Sequence, residues 1–206
     1  DSLLAQEDVP VELYKEFMQD IAAEIDRENR IINDLLTLVK LDKTSGDLDV
    51  TSVSVNETIE LILKRLRPIA RKQDVEVIFE SNRSVVAEID EVKITLALTN
   101  LVENAIKYNK EHGFVKVILD ADHQFFTVQV EDSGIGIPES SYEYIFQRFY
   151  REDKSHSKEI GGTGLGLSIT RNIILMHRGT IAVSSVMGEG TTFTVKIPLI
   201  YIRQEG

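Results

Sequence analysis

One amide-bearing helix and two glycine-rich stretches restrict this chain more than any other feature, because each fixes a local backbone and together they outline one pocket. The helix reads Asn100-Leu-Val-Glu-Asn104-Ala-Ile-Lys107-Tyr108. The glycine stretches read Glu131-Asp132-Ser-Gly134-Ile-Gly136-Ile137 and Gly161-Gly162-Thr163-Gly164-Leu165-Gly166-Leu167. Asn100 and Asn104 are four residues apart and share a helical face, with Lys107 one turn on. A carboxamide oxygen ligates a hard cation, a lone carboxylate accepts from an exocyclic amine, and a glycine loop running into a helix N-terminus holds phosphates. The combination reads as a site for ATP with magnesium.

Charge narrows the partners. The net charge of −11 argues against nucleic acid, which needs a clustered basic face, but not against ATP, which needs only local cations. The absence of cysteine fits a reducing compartment. No apolar run approaches the ~20 residues of a membrane span, and the N-terminus lacks the pattern of a signal peptide, so the chain reads as soluble. Its 42% hydrophobic residues supply an ordinary core.

The organisation divides near residue 50. From Tyr14 an apolar seam runs through Met18, Ile21, Ile25, Glu28, Ile32, Leu35 and Val39, alternating spacings of four and three. That is the stripe of a coiled coil or helical bundle, and a lone helix cannot bury it. Glu28 interrupts it with a charge. Pro10 suits a first turn, Lys43-Thr-Ser-Gly46 ends the run, and Asp1 to Gln6 resembles the tail of a preceding helix. The boundary falls at 48: residues 1–48 form a partial helical hairpin and 49–206 a globular domain.

Beyond Asp49 helices and strands alternate. Ser54-Val-Asn-Glu57 has capping-box spacing and opens a helix carrying Ile59, Leu63, Leu66 and Ala70, with Pro68 expected to kink it or mark a turn near its end. Strands are expected at 75–79, 85–89, 114–119, 125–130, 180–186 and 192–198, with helices at 91–108 and 165–177 and a short one at 139–146. The expected class is α+β: a two-layer sandwich of a mixed sheet of roughly five strands with helices on one face, preceded by a long bundle helix.

The segment from about Ser52 to Leu199 resembles the ATP-binding domain of sensor histidine kinases, within the class that includes gyrase, the Hsp90 chaperones and MutL (the Bergerat fold). The asparagine box is matched by Asn100 to Tyr108, the first glycine box by Asp132 to Gly136, and the phenylalanine box by Phe146-Gln-Arg148-Phe149-Tyr150-Arg151. The second glycine box is matched by Gly162 to Leu167 and a last one by Gly188-Glu-Gly190-Thr191. Each box is weak alone; their order is what carries the likeness. One departure is Arg178, which stands where the family commonly has the first of two glycines.

The resemblance implies roles. Asn104 would present its oxygen to magnesium, supported by Asn100, and Lys107 would meet a phosphate. Tyr108 would lie along the adenine, and Asp132 would accept from its amino group. Gly134 and Gly136 would let the backbone turn beneath the base, walled by Ile135 and Ile137. Gly162, Thr163, Gly164, Leu165 and Gly166 would form lid hinge and phosphate cradle. Arg151 would reach the γ-phosphate beside a polar lid, Glu152 to Glu159, in which Lys154 and Lys158 are solvated charges, and Phe146 and Phe149 would anchor the lid base.

Hydrolytic members carry a glutamate four residues before the magnesium-binding asparagine; here that position is Asn100, which has no useful pKa for activating water. Glu103 lies about 100° around the helix and is not the base. Slow hydrolysis leaves the γ-phosphate for another nucleophile, a histidine on a bundle helix. None of the four histidines precedes an acid or lies on the seam: His112 and His123 fall in turns, His156 in the lid and His177 near a helix end that suits a cation. The phosphoacceptor is expected outside this chain, with residues 12–44 resembling the second helix of the dimerisation and phosphotransfer domain. The implied protein is a homodimeric phosphoprotein, a cytoplasmic region attached to a membrane only through parts outside this chain. It would phosphorylate its own histidine and then an aspartate of a response-regulator receiver domain. Two alternatives stand beside this: an ATP-gated dimeric module without kinase activity, and a serine protein kinase of the same superfamily.

Overall fold

The computed structural model describes residues 11–43, 48–151 and 162–202. In chain order the elements are α1 (Val11–Lys43), β1 (Thr51–Ser54), α2 (Val55–Lys72), β2 (Val75–Ser81), β3 (Val86–Ile89) and α3 (Glu91–Lys107). There follow β4 (Gly113–Ala121), β5 (Phe125–Asp132), a 3-10 turn (Glu139–Ser141), α4 (Gly166–Met176), β6 (Thr180–Val186) and β7 (Gly190–Pro198).

Helix starts follow from their caps. Ser54 Oγ accepts from the Glu57 N–H at 3.4 Å and Asp90 Oδ1 from the Lys93 N–H at 3.0 Å, satisfying amides that a first turn leaves over. Pro68 lies in the last turns of α2, which continues to Lys72. The proline is exposed, so the carbonyl freed by its missing N–H meets water, while Ile59, Ile62, Leu63, Leu66 and Ala70 hold the buried face together.

The main sheet has the order β2-β4-β5-β7-β6; β2 runs parallel to β4 and the other pairs are antiparallel. Register sets Val117 opposite Val130 and Leu119 opposite Val128, and then Val128 opposite Val195 and Val130 opposite Phe193. Pleating sends these alternate side chains to one face, where they share a buried core with Ala97, Leu101, Ile169 and Ile173 of α3 and α4. This is the mixed sheet with helices expected from the sequence. The same alternation that buries Phe126, Val128 and Val130 makes Asp132 the next inward residue of β5, so a carboxylate ends an apolar row at the lip of the core.

Three details differ from expectation. β3 joins no strand of the main sheet: it pairs antiparallel with β1, a strand the sequence did not announce because it is four residues long and largely polar. The helix expected over 139–146 reduces to a 3-10 turn, Glu139–Ser141. Tyr142 then donates its hydroxyl to the Ser185 carbonyl at 2.7 Å, a tertiary tie made at the turn where the helix was expected to continue. Arg178 takes a left-handed φ of 56°, the conformation usually given to glycine, and its guanidinium lies 5.4 Å from the ring of Tyr201.

α1 is 33 residues long. Tyr14, Met18, Ile21, Ile25, Ile32, Leu35 and Val39 are exposed, whereas Leu38 and Leu41 are buried and α1 contacts α4. Asp1 to Gln6, Pro10, the stop Thr44-Ser-Gly46 and the lid with Lys154, His156, Lys158 and Gly161 lie outside the described residues. Among the described residues no helix is long and apolar enough to cross a membrane.

Candidate functional site

α3 carries the amide face. Asn100 donates through Nδ2 to the Gly166 carbonyl at 3.2 Å, tying α3 to the first residue of α4. Its nitrogen is thereby committed, which leaves Oδ1 as the atom fit for a cation. Asn104, one turn on, is half-buried. Among the described residues no group of three or more His, Cys, Asp or Glu could hold a metal; the hard oxygens this face offers are the carboxamides of Asn100 and Asn104.

Asp132 is buried to 9% exposure. Both its protein hydrogen bonds go to Oδ1, from the Gly134 N–H at 2.8 Å and the Thr191 N–H at 3.3 Å. Burial pushes its carboxyl up to about 6, although the two N–H groups favour the charged form. Thr191 and its N–H were not singled out by sequence as a partner of Asp132; strand register supplies the link, since Asp132 and Thr191 are opposed on β5 and β7.

The first glycine stretch is sewn to the end of α3. Ile135 N–H donates to the Tyr108 carbonyl at 3.1 Å, and Ser133 Oγ donates to Asn109 Oδ1 at 3.1 Å while accepting from the Phe114 N–H at 2.9 Å. A side chain at position 134 would collide with the Tyr108 carbonyl, and Gly136, at φ 76°, faces the Val186–Met187 backbone. Both glycines therefore serve close approaches between protein segments. Ile137 packs against the core and Ile135 is exposed.

The second glycine stretch brings the cations in. Arg151 donates through NH1 to the Gly162 carbonyl at 2.8 Å. A Cβ on Gly162 would stand 2.5 Å from Lys107 Nζ and 3.9 Å from the Tyr108 hydroxyl, so the bare glycine backbone lets the end of Lys107 approach closely. Burial, with Arg151 and then Arg30 adding repulsion, lowers the Lys107 ammonium to about 8, with Glu103 opposing. Gly164 accepts from the Phe149 N–H at 2.9 Å. Thr163 Oγ1 accepts from the Leu165 N–H at 3.2 Å and donates to Asp34 Oδ2 of α1 at 2.6 Å. The Leu165 side chain is fully buried in the core, so it can face a ligand only through its backbone.

A buried carboxylate, an amide face and two cations converging on a glycine loop at a helix start fit a nucleotide. Residues 89–200 match the family of histidine kinase-, DNA gyrase B- and HSP90-like ATPases. The chain belongs to this family. It is 31% identical to the catalytic domain of the histidine kinase ThkA, covering 76% of this chain and 100% of that one with a TM-score of 0.68. It is 30% identical to ThkA in complex with the response regulator TrrA, over 93% of this chain and 53% of that one, at a TM-score of 0.73. Among curated relatives, the sensor histidine kinase WalK of Bacillus subtilis is 37% identical over 88% of this chain, and the WalK of Staphylococcus epidermidis 36% over 91%. The chain spans about 30% of the length of these relatives. It therefore corresponds to the catalytic domain of a histidine kinase together with a preceding helix.

Within this ATPase fold the remaining residues sort as follows. Phe146 stands edge-on to Phe193 at 6.3 Å, anchoring the base of the segment that leads to Arg151. Phe149 is exposed, and its N–H donates to the Gly164 carbonyl. His177 is not a helix-end cation. It is 1% exposed, its Nε2 accepts from the Asp90 N–H at 3.0 Å, and its Nδ1 lies 2.8 Å from the Ile173 carbonyl. That pairing requires the neutral ring, and burial lowers its pKa.

Proposed function

We propose that the chain binds magnesium–ATP and is the catalytic region of a sensor histidine kinase of a two-component system. The convergence of Lys107, Tyr108 and Arg151 on Gly162, with Asp132 bonded to Gly134 where that glycine abuts the Tyr108 carbonyl, carries this reading. Asp132 would accept from the adenine amino group through Oδ2, since Oδ1 is taken by Gly134 and Thr191. Tyr108 would lie along the base. Lys107 and Arg151 would neutralise phosphate charge, and the backbone of Gly162 to Gly166 would cradle it at the start of α4. Magnesium, held by Asn104 and Asn100, would supply charge neutralisation between phosphates. Asn100 cannot activate water, so the site holds its nucleotide for another acceptor.

The acceptor is a histidine outside this chain, on the helix that α1 would pair with. Residues 11–43 would join a homodimeric helical bundle, because their exposed seam needs a partner. Transfer onward to a receiver-domain aspartate is supported by the likeness to ThkA, solved with a response regulator. The test is incubation with γ-labelled ATP, alone and with a longer chain that has the upstream helix but carries Asn104→Ala. Acid-labile label on the longer chain alone supports the reading; label on neither contradicts it.

A further inference from the structure

The contact between α1 and the glycine loop is not explained by nucleotide binding. Asp34 projects from α1, and its Oδ2 accepts from Thr163 Oγ1 at 2.6 Å. Thr163 is the hydroxyl of the loop, and it simultaneously receives the Leu165 N–H at the start of α4. Beside it Arg151 is bonded to the Gly162 carbonyl, and Lys107 Nζ rests against Gly162. A carboxylate thus stands at the threonine of a loop flanked by two cations, where an anion-binding cradle would take a phosphate. Asp34 also reaches Glu103 electrostatically: burial raises the Glu103 carboxyl, Arg65 opposes this, and Asp34 raises it further. Leu38, one turn beyond Asp34, is 2% exposed, so α1 is seated at this point and not merely nearby.

We infer that Asp34 is an autoinhibitory latch: its carboxylate stands in for a phosphate at Thr163, so that seating of α1 on the glycine loop and binding of a polyphosphate exclude each other. This rests on the nucleotide site proposed above. Two anions cannot share the Thr163 hydroxyl, and a triphosphate would in addition bring charge to Lys107 and Arg151. Nucleotide entry then frees this stretch of α1, which changes where the bundle helix stands relative to the catalytic domain. The arrangement couples occupancy of the site to the position of the helix without any residue shared with the adenine end.

The latch is tested by comparing wild type with Asp34→Ala and Asp34→Asn for affinity toward a fluorescent ATP analogue with magnesium, and toward adenosine. Asp34→Ala binds the ATP analogue about three- to tenfold more tightly, Asp34→Asn falls between, and adenosine affinity is unchanged because it brings no phosphate. Spin labels at Ala23→Cys and Glu189→Cys, in a chain with no cysteine of its own, report the helix position. The wild-type distance distribution shifts when the ATP analogue is added; in Asp34→Ala it is shifted beforehand. Equal ATP affinity with and without Asp34, or an unchanged label distance on its removal, overturns the latch alone. Failure of every chain to bind the ATP analogue overturns the nucleotide site and the latch with it. A gain for adenosine equal to that for ATP would show that Asp34 acts on the fold and not on the phosphates, and also overturns it.

Discussion

α1 and α3 are both helices with a periodic apolar stripe, and they meet opposite fates. In α3 the stripe of Ile94, Ala97, Leu98, Leu101, Val102, Ala105 and Ile106 is buried against the sheet and α4. In α1 the seam from Tyr14 to Val39 is exposed, and among the described residues Leu38 and Leu41 reach the core. The periodicity of a stripe says that a helix will form and which face wants covering. It does not say whether the cover lies in the same chain. The amide face of α3 follows the same logic in reverse: Asn100 and Asn104 are polar residues on a helix whose other face is fixed by packing, so their orientation is set by burial elsewhere.

The comparison is broken most directly by truncating one stripe at a time. Ile106→Ala removes side-chain volume from a closed core and should cost about 2–5 kcal/mol in urea unfolding. Ile25→Ala removes the same atoms from a half-exposed site and should change the unfolding of the catalytic domain by within about 0.5 kcal/mol, while weakening self-association measured by sedimentation. Equal losses would mean that the seam is already packed within one chain.

The next effect concerns recognition rather than folding. Asp132→Asn replaces an acceptor with a group that also donates, and should weaken ATP binding by about 1–3 kcal/mol while leaving GTP little changed. Equal losses for both would make Asp132 structural only. The carboxyl is held at about 6, above the ordinary 3.8, so adenosine affinity should fall as pH drops through about 6 and the inflection should vanish in Asp132→Asn. In folding the sign is opposite. The folded carboxyl holds its proton more tightly than the unfolded one, so its contribution to stability is lost as pH rises from about 4 to about 6.

A smaller effect sits at the far end of α4. The folded pKa of His177 lies below 6.5, so the unfolded chain takes up the proton first as pH falls. Stability from this group is complete above 6.5 and declines as pH drops below it, with loss of the bond from Asp90. His177→Asn should flatten that part of the pH profile of the melting temperature; an unchanged slope would mean the ring is not held neutral.

How much of this was legible depends on range. The cap at Ser54, the register-bearing strands β4 to β7, and the loop glycines write local demands into adjacent residues, and the fold follows. Asn100, Asn104, Lys107, Asp132 and Gly162 are singled out by the same means, since each stands in a short motif that declares its own helix or loop. The β1–β3 ribbon, the neutral state of His177 and the bond between Asp34 and Thr163 join residues far apart in the chain. Each depends on which surface a polar side chain meets, and nothing in the sequence around Asp34 marks the partner it finds in Thr163. The demand for glycine at 134 and 136 is legible as a motif, but what each glycine approaches is protein: the Tyr108 carbonyl and the Val186–Met187 backbone.

The central claim is a magnesium–nucleotide site on the amide face of α3, and Asn104 tests it most directly. Affinity for a fluorescent ATP analogue is measured with magnesium and with chelator, in wild type and in Asn104→Ala. Magnesium should tighten binding several-fold in wild type, and the variant should lose that increment because a hard oxygen ligand is gone. Magnesium-dependent binding that survives undiminished in Asn104→Ala would contradict the account.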